Sequence, residues 1–554
     1  MRCSWILFLG ITSIFTACSQ TATEPWDDDE TTVESSSAKK GVSSSSKAGK
    51  TSSSATNDKK SSAKETSKSS SSKSNGKSSS SNANAKSSSS VKSSSSSANE
   101  HGDCVGEPGN PWDGTTSKSF ACGAGTKLSP YIILTAEQLA KLSFAIGAND
   151  VDYQGKYYKL GADIVLNKGE IIDDKGALVA DSTKLHKWTP IGNSSVSFTG
   201  SFDGDGHTVS GMFINTTSTH NGLFGNSSGT VQNVTVEDSW VYGGDYTAGV
   251  IGNLIGPGVL KRAVNKASVV GIGVATGGVV GHYQTKCCDN TGTIENVENE
   301  GFVSGKNNTG GIIGSVSETV ISFARNRAEI IGVNGVGGII GSSGYKTTLS
   351  DAINQGNVTG KEQVAGIAGY FGYRFSCSNA KQAVLRMVSN NGKITGTVYV
   401  AGLVGKNDCS KNSDLANRGN IIGTKYIAGL LGYVVNSSTE MAYNTGSIFG
   451  DIYIGGIIGY NQEGVTSSAY STGKVDGDSL VGLMIGYNYN TTMADYYYLE
   501  QGEQEPFGLN NGGGVATPKT ADEMKSDDFA ELLGDDFVYD SGLNDGYPVL
   551  KWEK

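Results

Sequence analysis

Gly222-Leu223-Phe224-Gly225, two glycines around two apolar residues, is the first of a series of four-residue boxes. Eight further boxes follow at intervals of 27, 29, 33, 27, 28, 36, 27 and 27 residues, and they begin at Gly249, Gly278, Gly311, Gly338, Gly366, Gly402, Gly429 and Gly456. A degenerate tenth copy runs from Gly482 to Gly486. Repeats of about 20 to 50 residues are typical of solenoids and propellers, and a propeller blade needs about 40 residues or more. The period therefore favours a solenoid.

A second marker keeps the same period as the boxes. It is an asparagine ahead of a short segment rich in Gly and β-branched residues, and the series is Asn265, Asn299, Asn326, Asn354, Asn390, Asn417 and Asn444, followed by Ser471. Apolar residues alternate or form runs of two or three between the markers, which suits short strands. An asparagine amide can bond to the asparagine one coil away, so a column of them would hold a stacked parallel sheet. We predict an all-β chain folded as a parallel β-helix, or β-solenoid, of about ten coils, about 48 Å long at the usual strand spacing.

The boxes and the segments that flank them resemble the bacterial GLUG-repeat surface proteins. The flanking resemblance is carried by residues 131–139, 157–164, 188–192, 198–211 and 544–552, so that it extends over about residues 129–554. It implies a right-handed parallel β-helix, often found in exported adhesin-like proteins and beside the peptidase domain of IgA-cleaving enzymes. The resemblance implies no agreed biochemical activity.

The N-terminus indicates export and lipid anchoring. A short basic start precedes about thirteen mostly apolar residues, too few to span a bilayer, so residues 1–17 are predicted to be a signal peptide. The run ends Phe15-Thr16-Ala17-Cys18, which resembles a bacterial lipobox with Cys18 as the lipidated residue. With Ser19 and Gln20 rather than Asp after the cysteine, the resemblance to sorted lipoproteins implies the outer membrane. We expect the cell surface, with the periplasmic face as the alternative. An ordinary signal peptide with an incidental cysteine is the competing interpretation.

Composition divides the mature chain into a linker and a folded part. The stretch from Ser35 to Asn99 has twelve lysines against Asp58 and Glu65 and is otherwise mostly serine, so it cannot form a core. We assign residues 18–100 to the lipidated N-terminus and a disordered linker, 101–215 to an N-terminal cap and first strands, 216–490 to the repeats and 491–554 to a C-terminal cap. Helices are expected from Thr135 to Ile146, near Thr517 to Met524 and from Asp527 to Leu533.

The charge balance and the cysteines limit the partners further. The net charge is −10 although the linker is basic, so the folded part is acidic and a nucleic-acid groove is not expected. An oxidising compartment allows disulfides. Cys104 with Cys122 and Cys377 with Cys409 are the possible pairs, while Cys287 and Cys288 are either a vicinal pair or two free thiols.

No catalytic set emerges from the sequence. The five histidines form no His-Glu-x-x-His motif, so the zinc chemistry of the IgA-cleaving relatives has no ligands here. Many β-helix lyases and hydrolases align acidic and basic residues on one face, but the columns in register here are Asn, Gly and Tyr. We expect no catalytic site, no cofactor and no metal. A β-helix carbohydrate-active enzyme and a structural spacer or assembly scaffold remain the alternatives to a binding module.

Tyrosines recur at two phases of the repeat. One set directly follows a box and comprises Tyr370, Tyr433, Tyr460 and Tyr487, with Lys406 in the intervening coil; the other lies three residues before a box and comprises Tyr246, Tyr399, Tyr426 and Tyr453. Residues at equal phase stack about 4.8 Å apart, so each set forms a stripe. An exposed stripe can stack on sugar rings of a polysaccharide, whereas an internal ladder holds coils together. The first set is the candidate ligand site, and the sequence leaves core and surface both open.

We therefore predict a lipid-anchored, non-catalytic module for binding or adhesion at the cell surface. Its expected partners are the membrane, through the lipid, and a polysaccharide or another surface polymer.

Overall fold

A computed structural model describes residues 104–285, 291–375, 377–378 and 381–554. The predicted signal peptide, the predicted lipidation site Cys18, the predicted linker and the Cys287-Cys288 pair lie outside these residues.

The described residues form an all-β parallel solenoid of about 13 turns. A typical coil has four strands, as in Ser410–Asn417, Ile421–Ile422, Lys425–Ala428 and Leu431–Val435. Each strand pairs in parallel with its counterparts in the coils before and after it. We call the resulting layers the long sheet, the short sheet, the pre-box sheet and the box sheet.

The long sheet carries the longest strands. Its members, in chain order, are Tyr131–Ile133, Tyr157–Leu160, Ile164–Val165, Ser201–Asp203, Thr208–Ser210, Thr230–Glu237, Val259–Asn265, Gly292–Asn299, Thr319–Asn326, Thr348–Asn354, Ala383–Asn390, Ser410–Asn417, Ser438–Asn444, Val465–Ser471, Thr492–Leu499 and Thr517–Lys519.

The other three sheets turn the corners of each coil. The short sheet comprises Phe213–Asn215, Trp240–Gly243, Ser268–Gly271, Val303–Ser304, Ile330–Ile331, Val358–Thr359, Ile394–Thr395, Ile421–Ile422, Ile448–Phe449 and Val475–Asp476. The pre-box sheet comprises Thr247–Ala248, Val274–Gly277, Asn307–Gly310, Asn334–Gly337, Glu362–Ala365, Val398–Ala401, Lys425–Ala428, Ile452–Gly455 and Ser479–Gly482. The box sheet comprises Phe224–Ser227, Ile251–Ile255, Val280–Gln284, Ile313–Val316, Ile340–Ser343, Ala368–Gly372, Val404–Asp408, Leu431–Val435, Ile458–Gln462, Ile485–Tyr489 and Phe507–Asn511.

The predicted fold class is confirmed, and the number of coils is larger than expected. The long sheet begins at Tyr131–Ile133, well before the first box, and it continues to Thr517–Lys519, beyond the last one. Coils without a Gly box therefore pair in register with those that have one. The number of Gly boxes is therefore smaller than the number of coils.

The asparagine column forms the predicted ladder of amide hydrogen bonds inside the solenoid. Asn390 is typical: its Nδ2 donates to Asn417 Oδ1 at 2.8 Å and to the carbonyl of Gly392 at 2.9 Å, and its Oδ1 accepts from Asn354 Nδ2 at 2.7 Å. The same bonds run through Asn265, Asn299, Asn326, Asn354, Asn390, Asn417 and Asn444, all fully buried. Buried polar groups need such partners because an unpaired one is costly.

The ladder also explains the first glycine of each box. A Cβ placed on Gly366 would lie 2.3 Å from Asn390 Oδ1, and one on Gly278 would lie 2.3 Å from Asn299 Oδ1. The amide fills the space that any side chain would need. The two repeated markers are therefore two halves of one contact.

Three α-helices flank the solenoid within the residues that the structure describes. α1 is Ala136–Gly147, with Thr135 and Gln138 forming a capping box, and its buried Leu139, Leu142 and Ile146 belong to the main core. α2 is Ala521–Met524 and α3 is Asp527–Leu533. Residues 517–519, expected to open a helix, form a strand that pairs with Thr492–Leu499. None of the helices in the described ranges is long and apolar enough to span a membrane.

The C-terminal segment extends the last strands of the solenoid and also packs against the outer face of the long sheet. Phe507–Asn511 and Thr517–Lys519 pair with the final strands of their sheets. The helices, the antiparallel pair Phe537–Val538 and Val549–Leu550, and the last residues then pack against the outer face of the long sheet. The contact is made on three outward tyrosines in successive coils: Tyr443, Tyr470 and Tyr497.

Candidate functional site

The box sheet brings three of the four predicted tyrosines into one stack. Tyr433, Tyr460 and Tyr487 are partners in register. Their ring centroids are 4.9 Å and 4.8 Å apart, with planes inclined by 11° and 18°. Lys406 occupies the same position one coil before Tyr433.

The pre-box sheet carries a second stack beside the first. Tyr399, Tyr426 and Tyr453 have centroids 4.9 Å and 4.8 Å apart and nearly parallel planes. Across the two stacks the rings meet edge to face, for example Tyr426 and Tyr433 at 5.3 Å and 83°. Offset stacking and edge-to-face contact are the two favourable aromatic geometries. The six rings thus form a herringbone layer, which we call the tyrosine surface.

The tyrosine surface lies on the outside of the solenoid. Val434 and Asn461, which follow Tyr433 and Tyr460 along their strands, are fully buried, so the tyrosines point the other way. All six tyrosines are half-buried, and none belongs to the hydrophobic core. The rings partly cover one another, and their outer parts remain in contact with solvent. Of the two alternatives that the sequence left open, core and surface, these tyrosines occupy the surface.

The pre-box tyrosines adopt an uncommon backbone conformation. Their φ angles are 56° at Tyr399, 60° at Tyr426 and 61° at Tyr453. The left-handed region is costly for a residue with a bulky side chain. The same position is left-handed in the other coils, where it is occupied by Tyr246, Ala275, Asn308, Gly335, Gln363 and Leu480. The bend therefore occurs with many residue types, and at Tyr399, Tyr426 and Tyr453 the stacking of the rings offsets its cost.

Two tyrosines at the centre of the box-sheet column have hydroxyl groups with a raised pKa. Burial raises the pKa of Tyr433 to about 12, and it raises the pKa of Tyr460 further. The hydroxyl of Tyr433 donates to Gln462 Oε1 at 3.4 Å, and that of Tyr487 accepts from Asn511 Nδ2 at 3.3 Å. The layer therefore offers apolar ring area and hydroxyl groups together.

Two lysines border the layer. Lys406 Nζ lies 5.4 Å from the ring centroid of Tyr399 and 5.6 Å from that of Tyr433, and Lys425 Nζ lies 4.9 Å from that of Tyr426. These are cation–π distances.

Tyr370 stands apart from the other predicted residues. It precedes Lys406 in the same column, so the lysine separates it from the stack. Its hydroxyl donates to Asp408 Oδ2 at 3.0 Å, and burial raises the pKa of both groups. Asp408 lies next to Cys409, which is disulfide-bonded to Cys377. Cys104 and Cys122 form a second disulfide in the described part of the chain. Tyr370 therefore belongs to the neighbourhood of the Cys377–Cys409 disulfide.

Two histidines, His220 and His282, lie in earlier coils near the start of the two tyrosine columns. The sequence analysis did not identify them as candidate site residues. Tyr246 lies edge to face with His220 at 5.2 Å and with His282 at 4.6 Å. Burial lowers the pKa of His282 to about 4, and it also lowers the pKa of His220. His282 directly follows the Gly278–Gly281 box, so its phase in the repeat is the signal that could have found it.

The described residues contain no group of three or more His, Cys, Asp or Glu side chains placed to hold a metal ion.

Comparison with known proteins gives short or distant similarities. No family model matches the chain. Halomucin of Haloquadratum walsbyi is 28% identical over 209 residues, which are 37% of this chain and 2% of Halomucin. A candidate Gly-rich membrane protein of Evansella cellulosilytica is 32% identical over 128 residues, which are 23% of this chain and 13% of that protein. The chain thus spans a small part of the length of both curated relatives.

Among solved structures, a candidate immunoglobulin A1 protease from Bacteroides ovatus is similar to this chain. The alignment covers 78% of this chain and 96% of that one, at 15% identity and a TM-score of 0.28.

Proposed function

We propose that the protein is a lipid-anchored, non-catalytic adhesion module that binds a polysaccharide or another surface polymer through the tyrosine surface. The observation that carries the proposal is the herringbone layer of six half-buried tyrosines on the outside of a rigid solenoid. Each stack extends for about 10 Å along the solenoid axis, so the site is elongated, like a polymer chain.

The chemistry of the layer suits a sugar polymer. A polysaccharide presents C–H faces and hydroxyl groups in alternation, and the tyrosine surface presents ring area and hydroxyl groups in alternation. Because stacking already fixes the rings, binding costs little side-chain entropy. The raised pKa of Tyr433 and Tyr460 keeps both hydroxyls protonated and able to donate.

The proposed location at the outer membrane, facing outwards, rests on the Cys18 lipobox and on the serine- and lysine-rich linker. The chain is also proposed to be a GLUG-repeat protein. The relative from Evansella cellulosilytica is named as a membrane protein, which supports a surface or membrane location.

The binding claim is tested by retention of the full-length protein on insoluble polysaccharides, with released sugar measured in the same samples. We expect retention without release. Replacing Tyr426 and Tyr460 together by alanine should lower retention at least tenfold, whereas Tyr157→Ala, an exposed tyrosine of the long sheet, should not. Circular dichroism of each variant separates lost binding from lost folding. Release of sugar would contradict the non-catalytic proposal, and equal retention of both variants would contradict the site.

The anchoring claim is tested by replacing Cys18 with serine. The protein should then leave the membrane fraction, while Cys3→Ser, within the predicted signal peptide, should leave it there. Continued membrane association of the Cys18→Ser variant would contradict lipid anchoring.

A further inference from the structure

A concave site lies on the long sheet, away from the tyrosine surface. An open cavity of about 830 Å³ separates the outer face of this sheet from the last residues of the chain. We call it the cap groove. The lining residues that matter below are Phe323, Arg325, Asp351, Gln355 and Asn391 on the sheet and Trp552 on the C-terminal segment.

The groove exists because one outward column changes in residue type along the solenoid. Tyr443 and the two tyrosines after it lie beneath the C-terminal segment. At the same position in earlier coils the column contains Arg325, Ile353 and Ser389, which line the groove instead. The C-terminal segment therefore covers the coils with the tyrosines but not the coils with Arg325, Ile353 and Ser389. Its edge forms one wall of the groove beside these uncovered coils.

Hydrogen bonds hold this wall in place. Glu553 accepts from Arg418 Nη2 at 2.8 Å and from the hydroxyl of Tyr443 at 2.7 Å, and its Oε2 also accepts from the backbone amide of Leu550 at 3.1 Å. Trp552 is consequently fixed at the edge of the groove, next to an anchored residue. The site is formed before any ligand arrives, which lowers the entropic cost of binding.

The floor of the groove has polar groups that the protein does not use. Within the described residues, the side chains of Arg325, Asp351, Gln355 and Asn391 make no hydrogen bond or ion pair with another side chain or with the backbone. Phe323, 47% exposed, adds an apolar surface on the same floor. Ligand sites combine apolar and aromatic area with a few convergent polar groups, and their volumes are commonly about 300 to 1,000 Å³. The cap groove has both properties.

The type of ligand follows from this set of side chains. Planar amide, carboxylate and guanidinium groups can each bond to two neighbouring hydroxyls, and the two aromatic side chains can contact C–H faces. Among the other charged lining residues, Arg418 pairs with Glu553, and Lys554 pairs with Asp540. Arg325 and Asp351, which have no ion pair among the described residues, are opposite in charge, so they do not together favour an ionic ligand. A peptide bound by strand addition is disfavoured, because Thr319–Asn326 and Thr348–Asn354 already have a partner strand on both sides.

We infer that the cap groove is a binding site for a neutral oligosaccharide, separate from the tyrosine surface.

The test is calorimetric titration of the full-length protein with cellohexaose, xylohexaose, mannohexaose and maltohexaose, and with hexagalacturonate as the charged comparison. At least one neutral chain should bind, and hexagalacturonate should bind at least tenfold more weakly. Asp351→Ala and Arg325→Ala should each weaken the binding at least tenfold.

Matched controls come from the same sheet. Asp495 has the position of Asp351 in a later coil and nearly the same φ, 54° against 55°, so Asp495→Ala has the same backbone cost without reaching the groove. Arg386→Ala is the control for Arg325→Ala, since Arg386 is an exposed arginine of the same sheet outside the lining. Both controls should change the affinity less than twofold.

Three results would overturn the inference. The first is no binding of any neutral hexasaccharide at millimolar concentration, and the second is tighter binding of hexagalacturonate than of every neutral chain. The third is an equal effect of Asp351→Ala and Asp495→Ala. Because the Tyr426 and Tyr460 substitutions lie on other sheets, they should leave this affinity unchanged, so the two sites are tested independently.

Discussion

Replacing Asn390 with alanine should destabilise the solenoid strongly, because the residue lies in the middle of the asparagine ladder. The side chain takes part in four hydrogen bonds: it donates to Asn417 and to the carbonyl of Gly392, and it accepts from Asn354 and from the amide of Gly392. All of them are buried, so water cannot replace the lost partner.

The magnitude follows from these four bonds. A buried hydrogen bond contributes about 1 kcal/mol net, and a buried group left without a partner costs about 1 to 3 kcal/mol. Asn354 loses an acceptor and Asn417 loses a donor, although each keeps its remaining bonds. We expect the free energy of unfolding to fall by about 4 kcal/mol, which is large for a single substitution.

The measurement is equilibrium urea unfolding, with amide hydrogen exchange to locate the effect. In a solenoid each coil contacts only its neighbours, so faster exchange should be confined to the coils around residues 354, 390 and 417. Asn391→Ala is the control, because Asn391 is adjacent, of the same type, exposed and without a side-chain hydrogen bond among the described residues. A loss below 1 kcal/mol for Asn390→Ala, or an equal loss for Asn391→Ala, would refute the argument that the ladder holds the coils together.

Three further predictions concern single contacts. Burial lowers the pKa of His282 to about 4, so the unfolded chain binds the proton more readily than the folded chain does. The free energy of unfolding should therefore fall by up to about 3 kcal/mol as the pH drops from about 6.5 to 4. In urea unfolding, the His282→Gln variant should lose less free energy of unfolding over the same pH range. Replacing Cys377 and Cys409 together by serine should lower the free energy of unfolding by about 2 to 4 kcal/mol, and a reducing agent should then have no further effect at this pair. Tyr460→Phe should keep both ring contacts and leave the unfolding temperature nearly unchanged, whereas Tyr460→Leu should cost about 1 to 2 kcal/mol in urea unfolding.

The parts of the fold that repeat could be predicted from the sequence. The box and the asparagine recur because each pair makes one contact per coil, as Gly366 does with Asn390. A side chain on Gly366 would collide with the Asn390 amide. The coils at both ends could not be counted, because they use other residues for the same turns.

The direction of the tyrosine stripes could not be predicted from alternation alone. Tyr399 and its predecessor Val398 are both half-buried, and the next residue, Val400, is buried in the core. The left-handed backbone at Tyr399 bends the strand and breaks the inside-outside alternation at this position. Nothing in the residue types indicates this bend, since Ala, Asn, Gln and Leu occupy it in other coils.

The cap groove could not be predicted because it depends on contacts that are remote in sequence. Arg418 and Glu553, which hold its wall, are 135 residues apart. No repeat relates the two, and the order of the elements does not indicate that the end of the chain returns to earlier coils.

The backbone of a solenoid is nearly the same in every coil. A binding surface on its outside therefore begins and ends where the residue type changes between equivalent positions of successive coils. The column that contains Tyr433 begins with the buried Asn226 and Asn253 and the half-buried His282. It continues through Ser315, Ser342, Tyr370 and Lys406, and it becomes an aromatic stack only after the lysine. On the long sheet, the outward column changes from Arg325 to tyrosine within a few coils, and the C-terminal segment covers it only from that point. The backbone supplies the spacing of about 4.8 Å in both places. Because the spacing is constant, the length of each stretch of one residue type sets the length of the ligand or segment that the surface can accept.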